Sequence, residues 1–280
     1  MALQILQYDY FVQKSMEMNR KEYKLPEYSQ KQFEQVKKKL NIRKEIVKEA
    51  LIKPTMLGKQ EEVIATLFKY FNKITEKNYN KLSDEIFALI SENISDKEKV
   101  CFTFFQVILN NSFFCHLYAK LFKKFIEITD EFITVLENQI STHVEEIKYI
   151  IYVSPNEDYD KYCNYVKKVE SVKNFTNFLI QCLKENILKS DDIIDLAITF
   201  QKYSLNGIDN DDNLLLNEIY ISNISIIVKD THKLLCKNKK WDQFLYNHQK
   251  LMESQGGGKN KKIHFKLLDI SEEINIDNKK

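Results

Sequence analysis

The sequence predicts an all-α protein, and three observations carry that prediction. Glycine occurs 5 times and proline 3 times in 280 residues, where average usage of about 7% and 5% would place roughly 20 and 14; turn-rich β architectures need more of both. Apolar residues recur at i, i+3, i+4 and i+7 in segment after segment, the spacing of one buried helix face. Helical segments also follow one another in pairs at intervals of roughly forty residues.

The first region, residues 1–57, stands apart as a partly helical N-terminal extension. Leu3 to Met18 is aromatic and methionine-rich, and Pro26 interrupts it. Ser29 followed by Gln32 has the spacing of a capping box and predicts the start of a very basic helix through Phe33, Val36, Leu40 and Val47, with Pro54 as its stop. The main domain is assigned to residues 58–275 and a short tail to 276–280.

Within the main domain, LFKYFNKITEKNYNKLSDEI, Leu67 to Ile86, reads as two helical pieces broken by a threonine. Thr75 has the chemistry of an N-cap, a hydroxyl able to accept one of the backbone N–H groups that a first helical turn leaves unpaired. Ser95 with Glu98 predicts a helix through Leu109, Ser112 one through Ile128, and Asp130 a third. Val100, Phe104, Val107 and Ile108, then Phe114, Leu117, Leu121, Phe122 and Phe125, supply their buried stripes. Pro155 and the tyrosine-rich NEDYDKYCNY read as a long connection. Beyond it, helices are predicted over Val166–Glu185, Ser190–Tyr203, Asn213–Cys236 and Trp241–Ser254, with a loop at Gly207 and a triple-glycine loop before the last helix.

Paired helices at this period, without a repeated letter motif, suit a HEAT-like solenoid of about five antiparallel helix pairs, each burying its face against the next. A compact helical bundle is the rival that periodicity alone leaves open.

With 44% hydrophobic and 29% charged residues, the chain supports a sizeable core and a polar surface. A formal charge of +2 gives no overall polyelectrolyte character, so any contact with RNA must be local. Lys237, Lys239 and Lys240 with Lys259, Lys261 and Lys262 bracket the last hairpin and are the candidate basic patch; a solvated lysine face is the plain alternative. The cysteines at 101, 115, 163, 182 and 236 are odd in number, lack a CxxC pair, sit mostly among apolar residues and read as reduced core thiols. No run resembles a signal peptide or a membrane helix, and a cytoplasmic setting is expected, that of the host if the source is viral. The abundance of Lys, Asn and Ile is that of an AT-rich genome, as in a protist or a large DNA virus.

Each near miss to a catalytic or metal motif carries a specific defect. DNDDN at 209–213 opens like a calcium loop, but Leu214 stands where the turn needs glycine and Tyr220 where the ion needs a bidentate glutamate. GGGK at 256–259 is followed by Asn260 instead of the Ser or Thr that holds magnesium, and it reads as linker. His232 and Cys236 share a helical face without two further zinc ligands. The expectation is therefore a protein that is not an enzyme, with no metal and no cofactor.

Two stretches resemble a known family. FNKITEKNY, within Leu67–Ile86, resembles the opening motif LNKLTxxxF of the middle domain of eukaryotic translation initiation factor 4G, and KKIHFKLLDI, Lys261 to Ile270, resembles its closing motif RIRFMLQDLxDL. Between them, FFCHLYAKLFKKF with Ala119 and NFTNFLIQCLKENILKSDDIIDLAITF resemble internal helices of the family, although Thr176 to Phe178 stand where a glycine is usual. The resemblance implies a HEAT-repeat scaffold that binds and stimulates the DEAD-box RNA helicase initiation factor 4A and does no chemistry itself.

By position it assigns helicase binding to Phe71, Ile74 and Tyr79 in the opening motif and to Lys262, His264 and Phe265 in the closing one, with His264 in place of an arginine. Core packing is the alternative for the first three. Lys237, Lys239, Lys240, Lys259 and Lys261 are the candidate contacts for weak mRNA binding. Tyr246, Leu251 and Met252 match the spacing of a cap-binding-protein ligand but lie inside a repeat, so residues 1–57 are the better place to look for that partner. A scaffold of the same fold in splicing, mRNA decay or poly(A)-binding-protein interaction is the alternative assignment.

Overall fold

The computed structural model describes residues 59–93, 97–210, 213–254 and 260–276, together with 27–29, 31, 32 and 35. The chain divides into two compact units, Met1–Met56 and Leu57–Lys280. In the first, the described residues are helical, Lys31 pairs with Glu27 at 3.3 Å and Gln32 Nε2 donates to Tyr28 Oη at 2.9 Å. Because Glu27 and Tyr28 are already helical, Ser29 is not the cap that its capping-box spacing suggested. The Pro54 stop and the stretch Leu3–Met18 lie outside the described residues.

The second unit is all helix among its described residues: α1 Lys59–Phe71, α2 Tyr79–Asn93, α3 Lys97–Asn110, α4 Cys115–Ile128, α5 Glu131–Ile147, α6 Tyr159–Lys184, α7 Ser190–Gly207, α8 Leu214–Leu235, α9 Trp241–Glu253 and α10 Lys261–Ile276. Packing runs up the chain as a ladder. One row passes from α1 to α3, α6, α8 and α10; the other joins α2 to α4 and α7 to α9, with α6 against both α4 and α7. Helices near in sequence are neighbours in space, which is the signature of a solenoid and not of a bundle closed around one axis.

Several boundaries differ from the sequence reading, each for a local reason. Asp158 accepts from the Lys161 N–H at 3.0 Å and caps α6, so the tyrosine-rich stretch predicted as a connection is the first two turns of a 26-residue helix. Tyr152, Tyr162 and Tyr165 pack there, with ring centroids 5.2–6.4 Å apart. Ser112 precedes α4 by a turn, its carbonyl accepting from Cys115 N–H at 3.2 Å. Asp130 does occupy the N-cap position of α5, without a side-chain capping bond. Ser95 lies outside the described residues.

Two chain reversals are specified sharply. Asn186, at φ 60°, ends α6 in the left-handed region, and the Ile187 N–H returns to the Cys182 carbonyl at 2.9 Å, the six-residue bond of a Schellman motif with asparagine in the glycine role. Gly207, predicted as loop, is the buried last residue of α7. A β-carbon there would sit 3.0 Å from Asn213 Nδ2, so glycine lets α7 and the start of α8 approach.

The interior begins as a phenylalanine cluster. Phe104 of α3 lies 5.1 Å from Phe71, 5.2 Å from Phe125, 5.7 Å from Phe122 and 6.1 Å from Phe178, joining α1, α4 and α6 through one ring. Farther along, Ile193, Ile194, Ile198, Ile219, Ile221, Ile224 and Ile227 outnumber the rings, of which Phe200, Tyr220, Trp241 and Phe244 are buried. Cys101, Cys115 and Cys182 are buried free thiols, whereas Cys163 is half-buried and Cys236 exposed.

Candidate docking surfaces

The α1–α2 turn is built from the inside out. Phe71 and Ile74 are buried, at 0% and 1% exposure, and the Tyr118 hydroxyl reaches from α4 to donate to the Phe71 carbonyl at 3.2 Å. Thr75 is not a helix cap. Asn78, just before α2, closes the turn instead: its Oδ1 accepts from the Thr75 N–H at 2.8 Å while its Nδ2 donates to the Lys73 carbonyl at 2.7 Å, stitching the turn shut from within. Asn72 adds a bond to the Phe68 carbonyl at 2.9 Å, and His116 at the start of α4 meets Glu76.

This turn is stiff, and its apolar sequence signal is core. Phe71 and Ile74 offer no surface to a partner, which corrects their assignment as contact residues; their stripe faces α3 and α4 because that is where the phenylalanine cluster lies. Tyr79 is half-buried. Burial first, then the carboxylates of Glu185, Asp84 and Glu127, push its phenol up to about 12, so it remains a neutral hydrogen-bonding group near physiological pH. What the turn presents outward is Phe68, 43% exposed, with the exposed residues Asn72, Lys73, Glu76 and Lys77.

At the other end of the ladder, α10 buries Ile263, Leu267 and Ile270 and turns Phe265 outward at 61% exposure with Leu268 beside it. Asn260 caps the helix, its Oδ1 accepting from the N–H groups of Lys262 and Ile263 at 3.0 and 3.3 Å. His264 lies partly exposed, its ring 6.2 Å from that of Phe265. Lys262 pairs with Glu218 of α8 at 3.1 Å, and the half-buried Lys266 donates to Ser222 at 2.6 Å. Phe265 is thus the one aromatic of the six resemblance-assigned residues that stands free of the core.

The lysines do not form one patch. Lys262 and Lys266 fix the start of α10 beside Glu218 and Ser222 near the start of α8, whereas Lys237, Lys239 and Lys240 follow its C-terminus. Residue 218 to residue 235 at 1.5 Å per residue is roughly 25 Å. The sequence brackets a hairpin with lysines at both ends, but α10 runs parallel to α8, which carries its first turn away from the 237–240 turn. That turn is also acidic: Lys240 pairs with Asp195 at 2.6 Å, and Asn238 donates to Asp191 at 2.7 Å. Lys237, Lys239 and Lys261 are exposed, and Lys259 lies outside the described residues.

In α9 the cap-binding-like spacing is split between faces, with Tyr246 58% exposed under the Lys250 ammonium and Leu251 buried. Among the described residues there is no group of three His, Cys, Asp or Glu placed to hold a metal ion, and no helix is long and apolar enough to cross a membrane. Comparison with protein-family models and with curated proteins finds no match for the chain. Phe68 and Leu268 were missed in the sequence because each sits beside a stripe residue, and only its rotation about the helix axis separates it from the core.

Proposed function

We propose that the chain is a translation initiation scaffold that binds the DEAD-box helicase initiation factor 4A and does no chemistry of its own. The observation that carries this reading is the placement of the two factor 4G-like motifs on the first hairpin and the last helix of one helical ladder, with Phe265 and Leu268 exposed on the latter. Phe71 and Ile74 then act from behind, holding the α1–α2 turn in shape, while Phe68, Lys73 and Lys77 on that turn and Lys262, His264 and Phe265 on α10 supply the contacts. Two contact surfaces on one stiff scaffold stimulate a two-lobed motor only if they bind its closed state more tightly than its open one.

The test is the ATPase rate of factor 4A with and without RNA, in the presence and absence of the chain. Stimulation that falls several-fold in Phe265→Ala, with unchanged helical content, supports the reading; absence of binding overturns it. Weak mRNA binding belongs to the same proposal. With the lysines divided between two places, each contributes only a few phosphate contacts, so affinity should fall with salt along a shallow slope. The N-terminal unit is the proposed site for a cap-binding protein, tested by pull-down with residues 1–57 deleted.

A further inference from the structure

Between α5 and α7 lies a groove of about 510 Å³. Its floor is aliphatic, made by Ile140 and Val144 of α5, Leu188 just before α7 and Leu196 within it. Its rim is acidic, with the exposed residues Glu137 and Glu145 on α5 and Asp192 and Asp195 on α7. The rest of the lining is two hydroxyls turned back on their own helices: Ser141 donates to the Glu137 carbonyl at 3.1 Å and Thr199 to the Asp195 carbonyl at 2.7 Å. Among the described residues, no cationic side chain lines the groove.

Part of the negative charge is met from outside. Lys148 pairs with Glu145 at 2.8 Å and Lys240 with Asp195 at 2.6 Å. Asp192 accepts the Lys189 backbone N–H at 2.7 Å, but neither it nor Glu137 has an ion pair of its own among the described residues. The groove is therefore a greasy strip between two acidic edges, and it keeps a net negative charge.

That pattern selects an occupant. An acidic partner is repelled, and a neutral apolar one would strip water from carboxylates and return nothing. The carboxylates are too dispersed to share a divalent ion, since no group of three acidic, His or Cys side chains among the described residues is placed to hold one. An extended segment would lay unpaired backbone N–H and C=O groups on an aliphatic floor whose two hydroxyls are already engaged. A helix brings its backbone bonds with it. Glu137 and Glu145 are eight residues apart, roughly 12 Å along α5, which matches about two turns of such an occupant. We propose that the α5–α7 groove binds a cationic amphipathic helix of a partner protein, its leucine-like stripe on Ile140, Val144, Leu188 and Leu196 and its flanking lysines or arginines on the carboxylate rim. Neither surface assigned to the helicase takes part, so this site stands or falls separately from that reading.

The test uses the full chain and fluorescence anisotropy of a labelled peptide of leucine and lysine, its leucines at i, i+3, i+4 and i+7. Two further peptides keep the pattern but replace every lysine by glutamate or every leucine by serine. The leucine–lysine peptide should bind at least tenfold tighter than either, and its affinity should fall several-fold from low to high salt. Glu137→Lys combined with Asp192→Asn, which keeps the acceptor for the Lys189 N–H, should weaken it at least tenfold with helical content unchanged. The same change of charge on exposed residues away from the groove, Glu92→Lys with Asp230→Asn, should leave it within twofold. Should the groove variant fold poorly, methyl NMR of the unaltered chain decides: the Ile140, Val144, Leu188 and Leu196 signals must move with the leucine–lysine peptide. Equal binding of the three peptides, equal losses in the two variants, or unmoved methyl signals would overturn the assignment. Spermine that binds as tightly as the peptide would also overturn it, in favour of a polyamine site.

Discussion

Around α3 the interior is mostly phenylalanine, whereas around α8 it is mostly isoleucine, with a few rings such as Phe200 and Tyr220, interspersed with amides, hydroxyls and imidazoles. Between Phe71 and Phe178 the rings of five helices interlock, and the buried polar side chains are few: Ser83, Thr103, His143 and Thr176. From Gln201 to His248 the buried polar groups are Gln201, Ser204, Asn217, Ser222, Asn223, Thr231, His232, Asn247 and His248. Several of these bonds cross between helices. Gln201 of α7 donates to the Phe244 carbonyl of α9 at 3.0 Å, and His248 of α9 meets Ser271 of α10 at 2.8 Å.

The difference concerns how stability and register are divided. A ring cluster gains by filling volume and tolerates small rotations of its helices, because dispersion and burial are non-directional. A buried amide bonded across a helix pair allows one rotation and one height, since any other leaves the group unpaired at a cost. The first half of the ladder is held mainly by volume, with a few cross-helix bonds such as Tyr118 to the Phe71 carbonyl and Asn174 to the Leu109 carbonyl, whereas the second buries more polar groups and is pinned in register where Gln201 and His248 bond across helices. The exposed face of α10, where Phe265 points outward, belongs to the pinned half.

The sharpest way to break this comparison is Phe104→Ala, which removes the ring that joins α1, α4 and α6. A loss of about 3–5 kcal/mol is expected from chemical denaturation, large enough to leave the first half partly unfolded. Hydrogen exchange should then show α1–α4 opening before α8.

Acid provides the next largest effect, and each half contains one sensor. His143 and His248 are both held at about 4 against an ordinary 6.5, in each case chiefly by burial. Between those values the unfolded chain binds protons that the folded chain refuses, so stability is fully present above about pH 6.5 and is lost as pH falls toward 4. Each ring contributes at most about 3 kcal/mol. Denaturant midpoints measured from pH 7.5 to 4.5 should fall, less steeply in His248→Gln. If that variant tracks the parent, the imidazole of the pinned half is not what acid attacks.

Gln201→Ala sharpens the register argument, with an expected cost of about 1–3 kcal/mol from denaturation midpoints and faster amide exchange in α9. At the small end stands Phe265→Ala. An exposed ring without core contacts should change stability by less than about 0.5 kcal/mol, so any loss of partner binding in that variant is a loss of contact.

Much of the fold was legible in the sequence because its signals are local. The stripe Val100, Phe104, Val107, Ile108 predicts a helix and a face, and the structure buries all four. The tyrosine-rich stretch before Val166 was misread because Pro155 and the surrounding polar residues look like linker, while the Asp158 cap that opens α6 is a single side-chain bond. The candidate site was less legible. FNKITEKNY and KKIHFKLLDI both show an aromatic near a lysine, yet Phe71 has 0% exposure and Phe265 61%. His143 gave no signal at all, since an orphaned nitrogen is defined by what neighbouring helices fail to supply.

Composition and periodicity alone determined that this chain is helical, where most helices begin and end, and which side chains are able to form a core, because those properties depend on residues within a few turns of one another. Tertiary structure decided which aromatic points outward, that the lysines of the last hairpin lie roughly 25 Å apart along α8, and that His143 is buried against Phe175 with its Nε2 unpartnered. Each of those depends on the direction and rotation of a helix against partners tens of residues away. No local pattern encodes that geometry.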